Sequence, residues 1–136
     1  MVEDDELLHR SVRPADVVNR DGKLYLSSTA FNDAGMRPSV DRARMRTADE
    51  SKKSANDGVC GLLTEHVRSI TTVVHQETNQ PYKVDVVERP LDENIAHAQV
   101  EVDPAFENPS RFKKLKESLC RLAEQRWLIH PSDELA

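Results

Sequence analysis

The chain has no apolar run of 18 residues, so no segment is long enough to span a bilayer as a helix. It does not begin with a basic stretch followed by an apolar one, and no secretory leader is expected. Aromatic side chains are scarce, with one Trp, two Tyr and three Phe in 136 residues. The core is therefore expected to consist mainly of Val, Leu, Ile and Ala. The two cysteines, Cys60 and Cys120, lie far apart and form no CxxC pair, which points to free thiols in a reducing cytoplasm. No GxxxxGK[ST] loop is present, which argues against P-loop nucleotide binding. His9, His66, His75, His97 and His130 show no HxxxH or HExxH spacing, so neither a metal site nor a cofactor is expected.

The net charge is −5, from 19 Lys and Arg against 24 Asp and Glu, without the basic excess of a general nucleic-acid binder. The charge is uneven. Residues 3–6 are Glu-Asp-Asp-Glu, and residues 1–6 are expected to form a solvated, acidic, flexible start. Residues 37–53 carry six Lys or Arg against three Asp or Glu, but no aromatics interleave for base stacking. A nucleic-acid partner is therefore not expected. With 38% apolar and 32% charged residues, the chain reads as one domain with a modest core. Residues 7–131 are assigned to it, and residues 132–136 to a flexible end.

Local patterns predict an α+β fold, with about four antiparallel strands and a long C-terminal helix packed on one face. Pro14 suits the first turn of a short helix running to Val18. Leu24 and Leu26 alternate with Tyr25 and Ser27 as in a short strand. Thr47-Ala48-Asp49-Glu50 is a capping box that opens a surface helix through Ala55. Val59–Leu63 reads as a buried strand, Thr64 as the cap of a short helix, and Ile70–His75 as a β-branched strand. Lys83–Glu88 and Ile95–Val102 alternate and form a plausible antiparallel pair. Asn108-Pro109 starts a helix whose apolar stripe is Phe112, Leu115, Leu119, Leu122, Ala123 and Trp127.

The segment Leu24–Arg42 concentrates polar chemistry. Ser27-Ser28-Thr29 either bonds nearby backbone at a strand end or cradles an anion with turn N–H groups. Asp41 and Arg42 either pair with each other or orient a substrate carboxylate or phosphate through the guanidinium. Ser27, Ser28, Ser39, Asp41 and Arg42 are thus the candidate binding residues. His97 is the candidate acid or base, provided that one of the serines comes within hydrogen-bond reach. Cys60, in an apolar strand, reads as an inert thiol.

Six motifs occur in a recognisable order: Val12-Arg13-Pro14, Ser27-Ser28-Thr29-Ala30-Phe31, Ser39-Val40-Asp41, Gly58-Val59 leading to Glu65-His66-Val67-Arg68, His97-Ala98, and Arg126-Trp127-Leu128. In this order, which runs through most of the chain, the sequence resembles a family of small, largely uncharacterised bacterial proteins. The resemblance implies a cytoplasmic single domain, with some members encoded in defence or toxin operons, and no settled activity. The function expected is that of an accessory domain acting through a protein partner. The alternative is an enzyme acting on a phosphorylated or nucleotide-like small molecule. Within that alternative, the order Arg10, Ser27-Ser28-Thr29, Gln99-Val100-Glu101 resembles the Arg–Ser–Glu pattern of one class of ADP-ribosyltransferases, although its first interval is short.

Overall fold

The computed structural model describes residues 1–132. Its strands are β1 (Leu7–Val12), β2 (Val17–Arg20), β3 (Lys23–Leu26), β4 (Ser39–Arg42), β5 (Gly58–Leu63), β6 (Lys83–Glu88), β7 (His97–Asp103) and β8 (Trp127–Ile129), and its helices are α1 (Ala48–Ser51), α2 (Thr64–Arg68) and α3 (Pro109–Ala123). The fold is mixed α and β. β6-β7-β4-β1-β5-β8 form one sheet in that order, antiparallel throughout, and β2-β3 form a separate ribbon. The large sheet therefore has six strands rather than about four. Of residues 132–136, assigned from sequence to a flexible end, 133–136 lie outside the described residues.

Register decides which side chains share a face, because directly opposed residues on paired strands point the same way. The rows Leu8–Leu62, Arg10–Cys60, Val40–Ala98 and Val86–Val100 form the covered side. Phe112, Leu115, Leu119 and Ala123 of α3 join Leu8, Val40, Leu62, Ala98 and Val100 in one buried cluster. Ala30 and Phe31, from the 3-10 turn Ser28–Phe31, complete it. α3 begins as its sequence dictates. Asn108 Oδ1 accepts from the N–H groups of Ser110 and Arg111, and Pro109 fills the first position, where no donor is needed.

Several local expectations require correction. Pro14–Asp16 is a single 3-10 turn that leads into β2, not a helix to Val18. The Thr47 capping box forms as expected, with its reciprocal bonds to Glu50, but the helix ends at Ser51. It has no apolar face to carry it further. Thr64 is the first residue of α2 rather than its cap, and its Oγ1 donates to the Glu6 carbonyl at 2.9 Å. Ile70–His75 belongs to neither sheet and pairs only through a bridge between Val74 and Pro81. Trp127 leaves the helix stripe and joins β8 opposite Cys60. β8 passes so close to β5 that a Cβ on Gly58 would lie 2.9 Å from the Ile129 carbonyl oxygen, so only glycine fits there.

The first six residues are anchored to the domain through Val2 and Glu6, while Met1, Glu3, Asp4 and Asp5 stay exposed. Val2 is buried in the core. Arg42, on the covered side of β4, grips Glu6 with Nε on Oε1 and Nη2 on Oε2, both at 2.8 Å. Its Nη1 reaches Glu88 at 3.1 Å, and its Nη2 also reaches the Met1 carbonyl at 3.3 Å. Arg68 ties down the same segment, bonding Asp4, Asp85 and the Val2 carbonyl, each at 2.7 Å. Burial alone would raise the Glu6 carboxyl pKa. The Arg42 hydrogen bonds, the Glu3 N–H and the charges of Arg42 and Arg44 outweigh burial and hold it below the ordinary value.

Breaking a buried ion pair from one side strands the other charge, which costs more than the pair itself contributes. Glu6→Gln is therefore expected to lower stability by on the order of 3 kcal/mol, read as a shifted urea midpoint. Arg89→Ala, at the exposed Arg89–Glu101 pair, should leave the midpoint near that of the unaltered chain. Equal effects of the two substitutions would contradict this assignment.

Candidate functional site

The tetrapeptide Ser39-Val40-Asp41-Arg42 is β4, and strand alternation divides its side chains between two faces. Val40 and Arg42 point into the covered side, while Ser39 and Asp41 point to the opposite one. Asp41 and Arg42 therefore do not pair with each other. Asp41 Oδ1 accepts from Asn94 Nδ2 at 2.8 Å, and its Oδ2 lies 3.6 Å from Arg46 Nη1. Arg42 is used up by Glu6 and Glu88 and holds the fold together, so it is not placed to bind a ligand anion.

On the opposite face, open at β4 and β7 but covered by α1 at β1, the register forms a row across three strands, His9–Asp41–His97, of which His9 is buried. Ser39 and Gln99 form the neighbouring row. His97 Nδ1 lies 2.8 Å from the Arg89 carbonyl oxygen. That oxygen can only accept, so Nδ1 carries the proton and Nε2 of the neutral ring is the acceptor. His9 Nδ1 lies 3.3 Å from Ser51 Oγ, which pins α1 against β1. Burial pushes the His9 pKa below the ordinary histidine value, partly offset by the Asp41 charge. Asp41 and His97 thus come together as sequence candidates. His9, Asn94 and Arg46 belong to the same patch but were not legible as its members. The alternation that would have placed His9 is masked in β1 by Arg10 on the covered side.

The serine cluster lies elsewhere and is self-contained. Ser27 Oγ and Thr29 Oγ1 are 2.9 Å apart, Thr29 Oγ1 donates to Asp16 Oδ1 at 2.6 Å, and Arg13 holds both oxygens of that carboxylate. A hydroxyl pair already committed to a carboxylate would set an incoming phosphate beside a negative charge. Of the two readings for these residues, backbone capping fits the geometry and the anion cradle does not. Ser28 sits in the same turn.

Ser39 Oγ accepts from Arg10 Nη1 at 3.3 Å, and Arg10 also donates to the carbonyls of Ser39 and Ala30 at 2.8 and 3.0 Å. No serine is hydrogen-bonded to His97 among the described residues, so no nucleophile–base pair forms. Arg10 faces the covered side whereas Gln99 and Glu101 face the open one, so the Arg–Ser–Glu order does not converge on one site. Both thiols are buried and unpaired. Burial raises the Cys60 pKa far above the ordinary value and that of Cys120 to about 12, so neither is a nucleophile at neutral pH.

The lowered His9 pKa has a consequence for stability. Above the unfolded-state value of about 6.5 His9 is neutral in both states and contributes no pH dependence. As pH falls below that value, the unfolded chain takes up the proton more readily than the folded one, so stability drops until the folded-state pKa is reached. His9→Gln is expected to flatten the urea midpoint between pH 7 and pH 5 (conditions spanning the titration of histidine, at about 6.5). An unchanged slope would show that His9 does not control it. Compared with protein-family models, curated proteins and solved structures, the chain matches none.

Proposed function

We propose that this chain is an accessory domain that binds a protein partner through the open face of its sheet, at the end where β4 leaves and β7 enters. Supporting this reading is the distribution of exposed apolar side chains. Met1, Val18, Met45, Leu91, Ile95 and Leu128 are the large ones exposed among the described residues. Three of them collect at this end with Asp41 and His97, and a fourth, Met1, stands at the same end on the covered side. Leu91 and Ile95 lie in the β6–β7 connection, Met45 lies in the turn after β4, and the Met1 amine bonds Glu88 at the end of β6. Arg42 N–H donates to the Ala96 carbonyl, which brings the two turns together.

Clustered apolar residues beside fixed polar groups are the composition of a protein-docking surface. Asp41 and His97 would supply the polar contacts, and Ile95, 63% exposed, the central apolar one. A partner adding a strand at β6 is disfavoured. The outward N–H of Val86 is already bonded to Asp85 and its carbonyl to Arg68. The enzyme reading would need Ser27, Ser28, Arg42 and His97 around one cleft, and they are divided between two faces of the sheet.

The two buried, unpaired thiols fit a reducing compartment, in keeping with a cytoplasmic setting. A bacterial origin and a link to defence or toxin genes rest on the resemblance alone. No helix of the described residues is long and apolar enough to cross a membrane.

The test uses the tagged chain as bait. A protein retained in stoichiometric amount by the unaltered chain should be lost with Leu91→Asp/Ile95→Asp and kept with Val18→Asp, at unchanged thermal stability. Retention by the double variant, or equal loss with Val18→Asp, would place the interface elsewhere.

A further inference from the structure

A cleft of about 750 Å³ opens at the other end of the β6–β7 pair, between residues 75–82 and the start of α3. Its volume falls in the range of small-molecule sites, about 300–1,000 Å³. One wall is the hairpin-like loop closed by the Val74–Pro81 bridge, with His75 N–H on the Gln80 carbonyl. Here the His75 ring stacks on Tyr82, with centroids 3.8 Å apart and planes 23° from parallel. Tyr82 is buried and backed by Phe106, so His75 presents the accessible aromatic face. The facing wall carries Arg111, Asn108 and Glu107, and Glu77 stands on the loop side.

Arg111 is the informative residue. Four arginines of this protein hold a carboxylate with the Nε–Nη2 edge of the guanidinium: Arg13 on Asp16, Arg42 on Glu6, Arg89 on Glu101 and Arg121 on Glu124. In Arg111 that edge has no such acceptor among the described residues. Nε is buried and makes no hydrogen bond, while only Nη1 is engaged, at 3.4 Å from the Val74 carbonyl. A buried donor without an acceptor is costly, and the side chain that carries it is one of those lining the cleft. The helix start is not the recognition element, because Asn108 already satisfies its first free N–H groups.

The two carboxylates decide the class of ligand. Glu77 and Glu107 are exposed and line the same cleft. They would repel a polyphosphate and attract an ammonium group. We infer that this cleft binds a small zwitterion, an α-amino acid. Its carboxylate lies on the Arg111 guanidinium, which turns toward the cleft so that Nε gains the acceptor it lacks, its ammonium faces Glu77 and Glu107, and its side chain lies against His75. This site is independent of the protein-docking surface proposed above.

The test is titration of the ¹⁵N-labelled chain with each of the common L-amino acids, at concentrations sufficient to detect a Kd of about 1 mM. At least one should shift the amide signals of His75, Tyr82, Asn108 and Arg111. N-acetylation or amidation of that amino acid should each weaken binding about tenfold or more, because each removes one charged contact. Arg111→Gln should abolish the shifts. Glu77→Gln, at an exposed position that folding does not depend on, should weaken the free amino acid and leave its N-acetyl form unaffected. Absence of binding across the series would overturn the inference, as would binding that survives Arg111→Gln. Shifts of the same signals by inorganic phosphate or ADP but by no amino acid would overturn it too.

Discussion

The Arg42 guanidinium is the group on which the arrangement of this fold turns. It sits at the end of a central strand and points into the side of the sheet that α3 covers. A charge placed there must be paired, because an unpaired one is expelled or costs several kcal/mol. Glu6 meets that demand from just before β1, and Glu88 from the end of β6. Two segments remote in sequence are thereby drawn to one end of the sheet, and residues 1–6 are drawn in with them. Once Glu6 is seated, Val2 falls into the core and Arg68 can reach both Asp4 and Asp85. An acidic start that composition marks as a solvated tail becomes part of the packed domain because two arginines need its carboxylates.

The same alternation fixes the opposite face. With Val40 and Arg42 turned inward, Ser39 and Asp41 have to turn outward, and register aligns Asp41 between His9 and His97. Each member of this row is held from outside the sheet: Asp41 by Asn94, His97 by the Arg89 carbonyl and His9 by Ser51. Side chains anchored in this way lose little freedom on contact with a partner, which favours binding. The sheet edges are closed to strand addition, at β6 by Asp85 and Arg68 and at β8 by its three-residue length. The partner proposed above would therefore meet the face or its end, where exposed apolar side chains stand.

Legibility in the sequence followed one physical rule. β3, β5, β6, β7 and α3 were readable because their buried positions are apolar or small, so period 2 or period 3.6 survives. β1 and β4 were not readable as strands. Each places an arginine on its covered side, Arg10 satisfied by backbone carbonyls and Arg42 by carboxylates, and a polar residue at an inward position erases the alternation. Ile70–His75 failed in the opposite sense. Its β-branched residues signal a strand, but the chain there has a single bridge rather than a ladder. The site was half legible for the same reason. Asp41 and His97 stand out as polar residues near apolar runs, whereas their alignment with His9 depends on strand pairings that no local pattern encodes. Ser27 and Thr29 form a hydroxyl pair that in the fold serves Asp16.

The docking end and the cleft occupy opposite ends of one structural unit. β6 runs from Lys83, beside the cleft, to Glu88, beside the docking end, and β7 returns from His97 to Asp103. Six register pairs join the two strands without a shift, a span of about 17 Å at roughly 3.3 Å per residue. Such a ladder fixes the distance between its ends but has only one arrangement. Coupling between two sites requires an element with two states that both ligands bias. Val84, Val86 and Val100, buried in the core cluster, anchor this ladder, and packing there leaves no second register of comparable energy. The physical expectation is therefore two surfaces that act independently, each set by the turn at its own end of the hairpin.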